Sequence, residues 1–162
     1  MSTKYDNSKP QNWSLETQAI HAGQPVDSDT GARNLPLYLT TSYVFNSAEH
    51  AKQRFHLEDL GPIYSRLTNP TTEVVENRVA SLEGGVAAVA FASGQAAETA
   101  AIFNLASAGD HIVTSPRLYG GTSTLFTVTL KRLGIDVTLV EDPDDPASWQ
   151  DAVQPNTKAF YG

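Results

Sequence analysis

Val86-Ala87-Ala88-Val89-Ala90-Phe91-Ala92-Ser93-Gly94-Gln95-Ala96-Ala97 decides the fold class of this chain. The run from Val86 to Phe91 is unbroken and built of small apolar residues, the pattern of a strand buried on both faces. Ser93-Gly94-Gln95 then leads into an alanine-rich helix that carries Ile102 and Leu105. Working outward, the same alternation continues. Upstream, Asn69-Pro70 opens a helix with Val75, Val79 and Leu82 on one face, and Gly84-Gly85 ends it. Downstream, Gly109-Asp110 turns the chain into a strand from His111 to Thr114. Tyr119-Gly120-Gly121-Thr122 leads to a helix through Leu125, Val128 and Leu133, which Gly134 stops. Ile135 to Val140 reads as the next strand, Pro146 to Val153 as a short helix, and Lys158 to Tyr161 as a further strand. Strands alternating with helices predict an α/β fold with a mostly parallel sheet and right-handed crossovers.

The region before this alternation is different. Residues 1–14 read as a loose polar tail, and residues 15–60 lack a clean period. Leu35 to Phe45 is rich in β-branched and aromatic residues, which predicts an extended arm, and Ser47 to Leu57 predicts a short helix. An irregular stretch of this length is unusual inside a compact domain and makes more sense packed on another subunit. The expected division is therefore an amino-terminal arm over 1–60 and the first, incomplete part of an α/β domain over 61–162. A chain that stops just after a central strand reads as a fragment.

Composition removes several function classes. The formal charge is −7, which argues against nucleic-acid surfaces and anionic membranes, since both need basic patches. There is no cysteine, so disulfides, thiolate metal sites and cysteine nucleophiles are excluded. Met1 to Asn12 has no apolar segment of the kind a signal peptide carries, and no apolar run is long enough to span a bilayer. The expected location is cytoplasmic. His21, His50, His56 and His111 lack metal-ligand spacing, so no metal site is expected.

Three motifs carry chemistry. Ser93-Gly94-Gln95 stands at a helix start, where free N–H groups and the helix dipole favour an anion, and Gly94 lets a ligand approach the backbone. It is not a P-loop, and no dinucleotide fingerprint follows any strand. Tyr119, at the end of the next strand–helix unit, is placed to lay its ring against a planar ligand. In Ile63-Tyr64-Ser65-Arg66, a phenol and a guanidinium stand two residues apart; in an extended segment they share a side and can hold one phosphate. Singly, each has a plain structural explanation: a helix cap, a helix-entry loop, a surface pair. Together they suit a planar ring that carries a phosphate. Glu141, Asp142, Asp144 and Asp145 read as a solvated turn and a helix amino end, and Lys158 as an ordinary strand-edge lysine.

The set resembles the Cys/Met-metabolism family of pyridoxal-phosphate enzymes. The likeness runs through Ile20-His21-Ala22-Gly23, Leu39-Thr40-Thr41-Ser42, Tyr64-Ser65-Arg66 with Asn69-Pro70-Thr71, Ala92-Ser93-Gly94-Gln95-Ala96-Ala97 and Leu118-Tyr119-Gly120-Gly121-Thr122. It covers nearly the whole chain after the tail, and the chain corresponds to less than half of a family member. The resemblance implies the type I (aspartate aminotransferase-like) fold, truncated, and pyridoxal 5′-phosphate as cofactor. Tyr64 and Arg66 would bind the cofactor phosphate of the neighbouring subunit. Ser93, Gly94 and Gln95 would cradle the phosphate of their own subunit, and Tyr119 would stack on the pyridine ring as the catalytic residue of this segment. Family members are usually tetramers, built as dimers of dimers.

The Ser-Gly-Gln-Ala-Ala form is typical of the O-acetylhomoserine sulfhydrylase branch, which in methionine biosynthesis replaces the acetate of O-acetylhomoserine by sulfide to give homocysteine. Methionine γ-lyases usually carry cysteine at the position of Gly121. The alternatives are another activity of the family (cystathionine γ-synthase or lyase, O-succinylhomoserine sulfhydrylase, methionine γ-lyase), a phosphate-ligand-binding module without catalysis, and a truncated paralogue that pairs with a full-length subunit. In the family, the Schiff-base lysine and the aspartate that pairs with the pyridine nitrogen lie beyond the position of Gly162. The 162-residue chain alone is therefore expected to be inactive.

Overall fold

The structure, a computed structural model, describes residues 13–162. The expected polar tail lies outside the described residues up to residue 12. The chain forms two compact units, one ending at Ala90 and one spanning Phe91–Gly162.

In the first unit, α1 (Leu15–His21) is capped by Ser14, whose hydroxyl accepts from the Thr17 N–H. α2 (Ala48–Phe55) is capped in the same way by Ser47. α3 (Pro70–Glu83) starts at Asn69, whose Oδ1 accepts from Thr71 N at 2.9 Å, and ends at Gly84 in the left-handed conformation (φ +64°). Both ends of α3 follow the expected signals. Its packing does not. Val75 and Val79 are exposed, and α3 instead turns a polar face to α1. Arg78 donates to the Ala22 carbonyl (2.9 Å) and to Gln24 Oε1 (2.8 Å), and Ser81 donates to Gln18 Oε1 (2.9 Å). The stretch expected as an extended arm makes no ladder; it is joined to Tyr64 by one isolated antiparallel bridge at Ser42.

The second unit holds α4 (Gly94–Leu105), β1 (His111–Thr114), α5 (Gly120–Thr124), β2 (Asp136–Leu139), α6 (Pro146–Asp151) and β3 (Thr157–Tyr161). The sheet order is β2-β1-β3, and both pairings are parallel. β1 is central and buried at all four residues. Between α5 and β2 the helix widens into a π-helical stretch, Leu125–Leu130. Thr124 and Thr127 hydroxyls bond back to the carbonyls of Gly120 (3.1 Å) and Ser123 (2.7 Å), competing with the backbone donors there. That stretch still faces inward. Phe126 and Leu130 are fully buried and join Ile102, Ile112, Ile135 and Val137 in one core cluster. A fully buried Phe or Leu contributes about 1.5–3 kcal/mol.

One strand reading is corrected. Val86 to Phe91 is not paired in a sheet among the described residues; Val86 and Val89 are fully or largely exposed. A strand buried on both faces needs neighbours on both edges and a layer on each side, and the described residues supply neither.

Candidate functional site

The second unit brings two of the three motifs together. Ser93 caps α4 by accepting from Ala96 N at 3.2 Å. The first-turn N–H groups of Gly94 and Gln95 have no acceptor inside the helix. A Cβ built on Gly94 meets nothing within 4 Å, so the space over this helix end is open. Tyr119 is the residue before α5 and is 77% exposed. Its ring lies against Gly121: a Cβ built there would stand 2.8 Å from Tyr119 Cε1 and 3.4 Å from Gln95 Cδ. The aromatic ring and the first turn of α4 thus flank one glycine.

Of the residues that hold this arrangement, Glu98 and Tyr161 were not singled out in the sequence. Gln95 Nε2 donates to Thr122 Oγ1 (3.0 Å) and to Glu98 Oε2 (2.9 Å), and the Thr122 hydroxyl donates to the Glu98 carboxylate (2.9 and 3.1 Å). Thr122 is 3% exposed and Glu98 is half-buried. Tyr161, at the end of β3, faces the same carboxylate. Burial, and then the Glu98 carboxylate beside it, push the Tyr161 phenol above its ordinary value. A signal was present: Glu98 is the single charged residue in α4, three positions from Gln95 and so on the same helix face.

The third motif lies in the first unit. Tyr64 and Arg66 are brought together, but by a turn rather than by extended chain. The Tyr64 carbonyl accepts from Leu67 N (2.8 Å) and Thr68 N (3.0 Å), which folds the chain back after the bridge to Ser42. The Arg66 guanidinium then sits 5.6 Å from the centre of the Tyr64 ring. Both side chains are exposed, and Arg66 is in none of the ion pairs among the described residues. Asn69 anchors the turn, donating to Ser65 Oγ (2.9 Å) and the Tyr38 carbonyl (3.0 Å). Arg66 lines a hollow of about 280 Å³ with Ser65, Asn69 and Glu76. A hollow of about 440 Å³ in the same unit is lined by Arg54, Leu57, Leu60, Ile63 and Leu67 and takes in neither Tyr64 nor Arg66.

The remaining titratable candidates take structural places. His21 Nδ1 is 2.8 Å from Arg33 Nη2. His111 is fully buried between Thr138 and Thr157. Asp145 caps α6, Asp142 accepts from Asp144 N, and Asp144 pairs with Arg117 at 2.7 Å. Lys158 is exposed, 3.7 Å from Asp110.

These donors fit a phosphorylated aromatic ring: a helix end with free N–H groups and open space above it, beside an exposed aromatic face. The comparisons with known proteins point the same way. The family described as Cys/Met metabolism PLP-dependent enzyme (PLP, pyridoxal 5′-phosphate) matches residues 16–162. The chain is 75% identical to the O-acetyl-L-homoserine sulfhydrylase of Corynebacterium glutamicum, over 98% of its own length and 36% of that protein's. It is 52% identical to the O-acetyl-L-homoserine sulfhydrylase of Leptospira meyeri, over 95% of its length and 35% of that protein's. Among solved structures it resembles a candidate O-acetylhomoserine (thiol)-lyase from Campylobacter jejuni that contains N′-pyridoxyl-lysine-5′-monophosphate. The TM-score is 0.87 and the identity 42%, covering 93% of this chain and 37% of the other. The chain spans about a third of the length of the curated relatives it matches.

Proposed function

This chain belongs to the Cys/Met metabolism family of PLP-dependent enzymes, and we propose that it is the cofactor-cradling segment of an O-acetylhomoserine sulfhydrylase. The reaction is γ-replacement: the Cγ–O bond of O-acetylhomoserine breaks, acetate leaves, sulfide forms a Cγ–S bond, and homocysteine results. The observation that carries the reading is the Ser93-capped end of α4, open over Gly94, with the Tyr119 ring packed beside Gln95 on Gly121. The identity to the C. glutamicum sulfhydrylase supports the choice of branch.

PLP, when bound, supplies the electron sink that lets protons leave the substrate's Cα and Cβ. The segment's own residues position that group. The backbone N–H groups of Gly94 and Gln95 take the phosphate, aided by the α4 dipole by about 0.3–1 kcal/mol. Ser93 keeps the helix end in register by capping it. Tyr119 covers one face of the ring, excludes water from that face, and carries the hydroxyl that hands a proton to, or takes one from, the substrate. Tyr64 and Arg66, stacked on each other, bind the phosphate held by a neighbouring subunit.

We further propose that residues 1–60 are an arm that reaches a second copy, that residues 61–162 are part of the cofactor domain, and that the whole protein is a tetramer of paired dimers. No helix among the described residues is long and apolar enough to cross a membrane; we place the enzyme in the cytoplasm, in keeping with its acidic, cysteine-free composition.

The test is subunit complementation in the full-length protein. Arg66→Ala homodimers should bind PLP about tenfold or more weakly, the loss of a charge-assisted contact. Mixed dimers of Arg66→Ala with a subunit lacking its Schiff-base lysine should regain about one working site in two. An Arg66→Ala enzyme with unchanged PLP affinity, or mixed dimers without activity, would refute the shared site.

A further inference from the structure

Glu98 stands where three elements of the second unit meet. From α4 it accepts from Gln95 Nε2, from α5 it accepts from the Thr122 hydroxyl, and Tyr161 of β3 faces it. No Lys or Arg pairs with it among the described residues. A half-buried carboxylate without a cation, close to a helix end that receives a phosphate, has an electrostatic cost. Its hydrogen bonds account for its place. Thr122 is 3% exposed, and its hydroxyl, which also accepts from Gln95 at 3.0 Å, would be left short of an acceptor if Glu98 were removed.

The linkage continues to the ligand face. Thr122 follows Gly120 and Gly121 in the first turn of α5, and Tyr119 precedes that turn. A Cβ built on Gly121 would stand 2.8 Å from the Tyr119 ring and 3.4 Å from Gln95 Cδ, so both side chains border the same spot. Gln95 supplies one of the two backbone N–H groups assigned to the phosphate. One carboxylate thus links the turn that carries Gln95 to the turn that follows Tyr119.

We propose that Glu98 is the positioning residue of this site: through Gln95 and Thr122 it sets the distance between the phosphate-binding turn of α4 and the ring of Tyr119. The inference rests on the reading of Gly94, Gln95 and Tyr119 as PLP contacts. In this reading Glu98 is not itself a ligand contact; its partners are Gln95, Thr122 and Tyr161. It acts as a brace that holds two ligand-contacting segments in register, as outer residues hold the ligands of a tight site.

The geometry distinguishes substitutions. In Glu98→Gln, one amide oxygen at the Oε2 position can still accept from both Gln95 Nε2 and Thr122 Oγ1, since both stand 2.9 Å from Oε2. In Glu98→Asp the carboxylate is drawn back by one methylene and cannot reach both. In Glu98→Ala the brace is gone.

The experiment uses the full-length protein and PLP itself. Affinity is read by titrating the cofactor-free protein. The visible circular dichroism of bound PLP, a signature of how Tyr119 stacks, is read alongside thermal melting. Glu98→Ala and Glu98→Asp should weaken PLP binding about tenfold and alter the dichroism, while Glu98→Gln should stay within about threefold of wild type. Wild-type affinity and dichroism in folded Glu98→Ala overturn the inference. So does a Glu98→Gln protein as impaired as Glu98→Ala, because charge rather than bracing would then matter. If Glu98→Ala does not fold, the comparison of Asp with Gln decides in the same terms. Gly94→Val separates this from the underlying reading: a side chain there meets open space, so the fold survives while the phosphate turn is blocked. Normal PLP binding by Gly94→Val refutes the site itself. Loss in Gly94→Val with no loss in Glu98→Ala or Glu98→Asp refutes the brace alone.

Discussion

Gly121 shows how little room separates the two halves of the ligand face. It is absent from the positive-φ positions, so its backbone does not require glycine. What a side chain there would meet is the Tyr119 ring, 2.8 Å from where a Cβ would stand. In Gly121→Ala the exposed ring must swing aside. Alanine favours the helix by up to about 1 kcal/mol over glycine, so the melting temperature of the full-length protein should not fall. PLP binding should nonetheless weaken several-fold, with altered dichroism of the bound cofactor. A substitution that leaves both unchanged would separate Tyr119 from the ring. At this scale the roles proposed for Tyr119, Gly94 and Arg66 could be read in the sequence because each is the residue type that such a role calls for. Glu98 was not: a lone glutamate in a helix usually faces water, and only the folded chain brings Thr122 and Tyr161 to it. Tyr64 and Arg66 were paired correctly for an incorrect reason, since a turn, not strand alternation, brings them together.

Among the elements, β1 carries an unusual group at its start. His111 is fully buried, with Nδ1 2.8 Å from Thr157 Oγ1 of β3 and Nε2 2.9 Å from Thr138 Oγ1 of β2. Burial lowers its pKa below the usual histidine value, and the Asp136 carboxylate offsets part of this. The neutral ring is thus the native form. As pH falls below about 6.5, the ordinary histidine value, the unfolded chain takes up a proton that the folded unit does not. Stability present above that pH is lost progressively down to the depressed folded value. Denaturant melts between pH 7.5 and 5.0 should show this loss, and His111→Gln, which cannot titrate, should show a shallower one. An equal slope in both would mean that other groups dominate. The starts of α2, α3, α4 and α6 were legible, because Ser47, Asn69, Ser93 and Asp145 each satisfy a first-turn N–H with their own side chain; α1, capped by Ser14 in a stretch without a clean period, was not. The strand expected at Val86 to Phe91 was not realised, because an apolar run states a need for burial and not the presence of neighbours.

Over the whole molecule, the apolar surface is uneven. Leu39, Val44, Val86 and Val89 are each more than 70% exposed, and Leu37 adds to this surface from the same stretch as Leu39. Surface of this kind marks contacts that the described residues do not make. The 162-residue chain on its own is expected to self-associate in size-exclusion chromatography with light scattering, despite its charge of −7. A monodisperse monomer at tens of micromolar (on the order of working concentrations for such measurements) would count against this. The sequence by itself determined the starts of α2, α3, α4 and α6, the three parallel strands of the second unit and the residue types that suit a phosphorylated ring, because capping, periodicity and donor chemistry are local properties. Tertiary structure alone decided that Gln95, Glu98, Thr122 and Tyr161 form one network, that Tyr119 rests on Gly121, and that Val86 to Phe91 stays unpaired. The contacts that join Gln95 and Glu98 to Thr122 and Tyr161 link distant parts of the chain, and whether they form depends on which surfaces meet, a matter that no local pattern encodes.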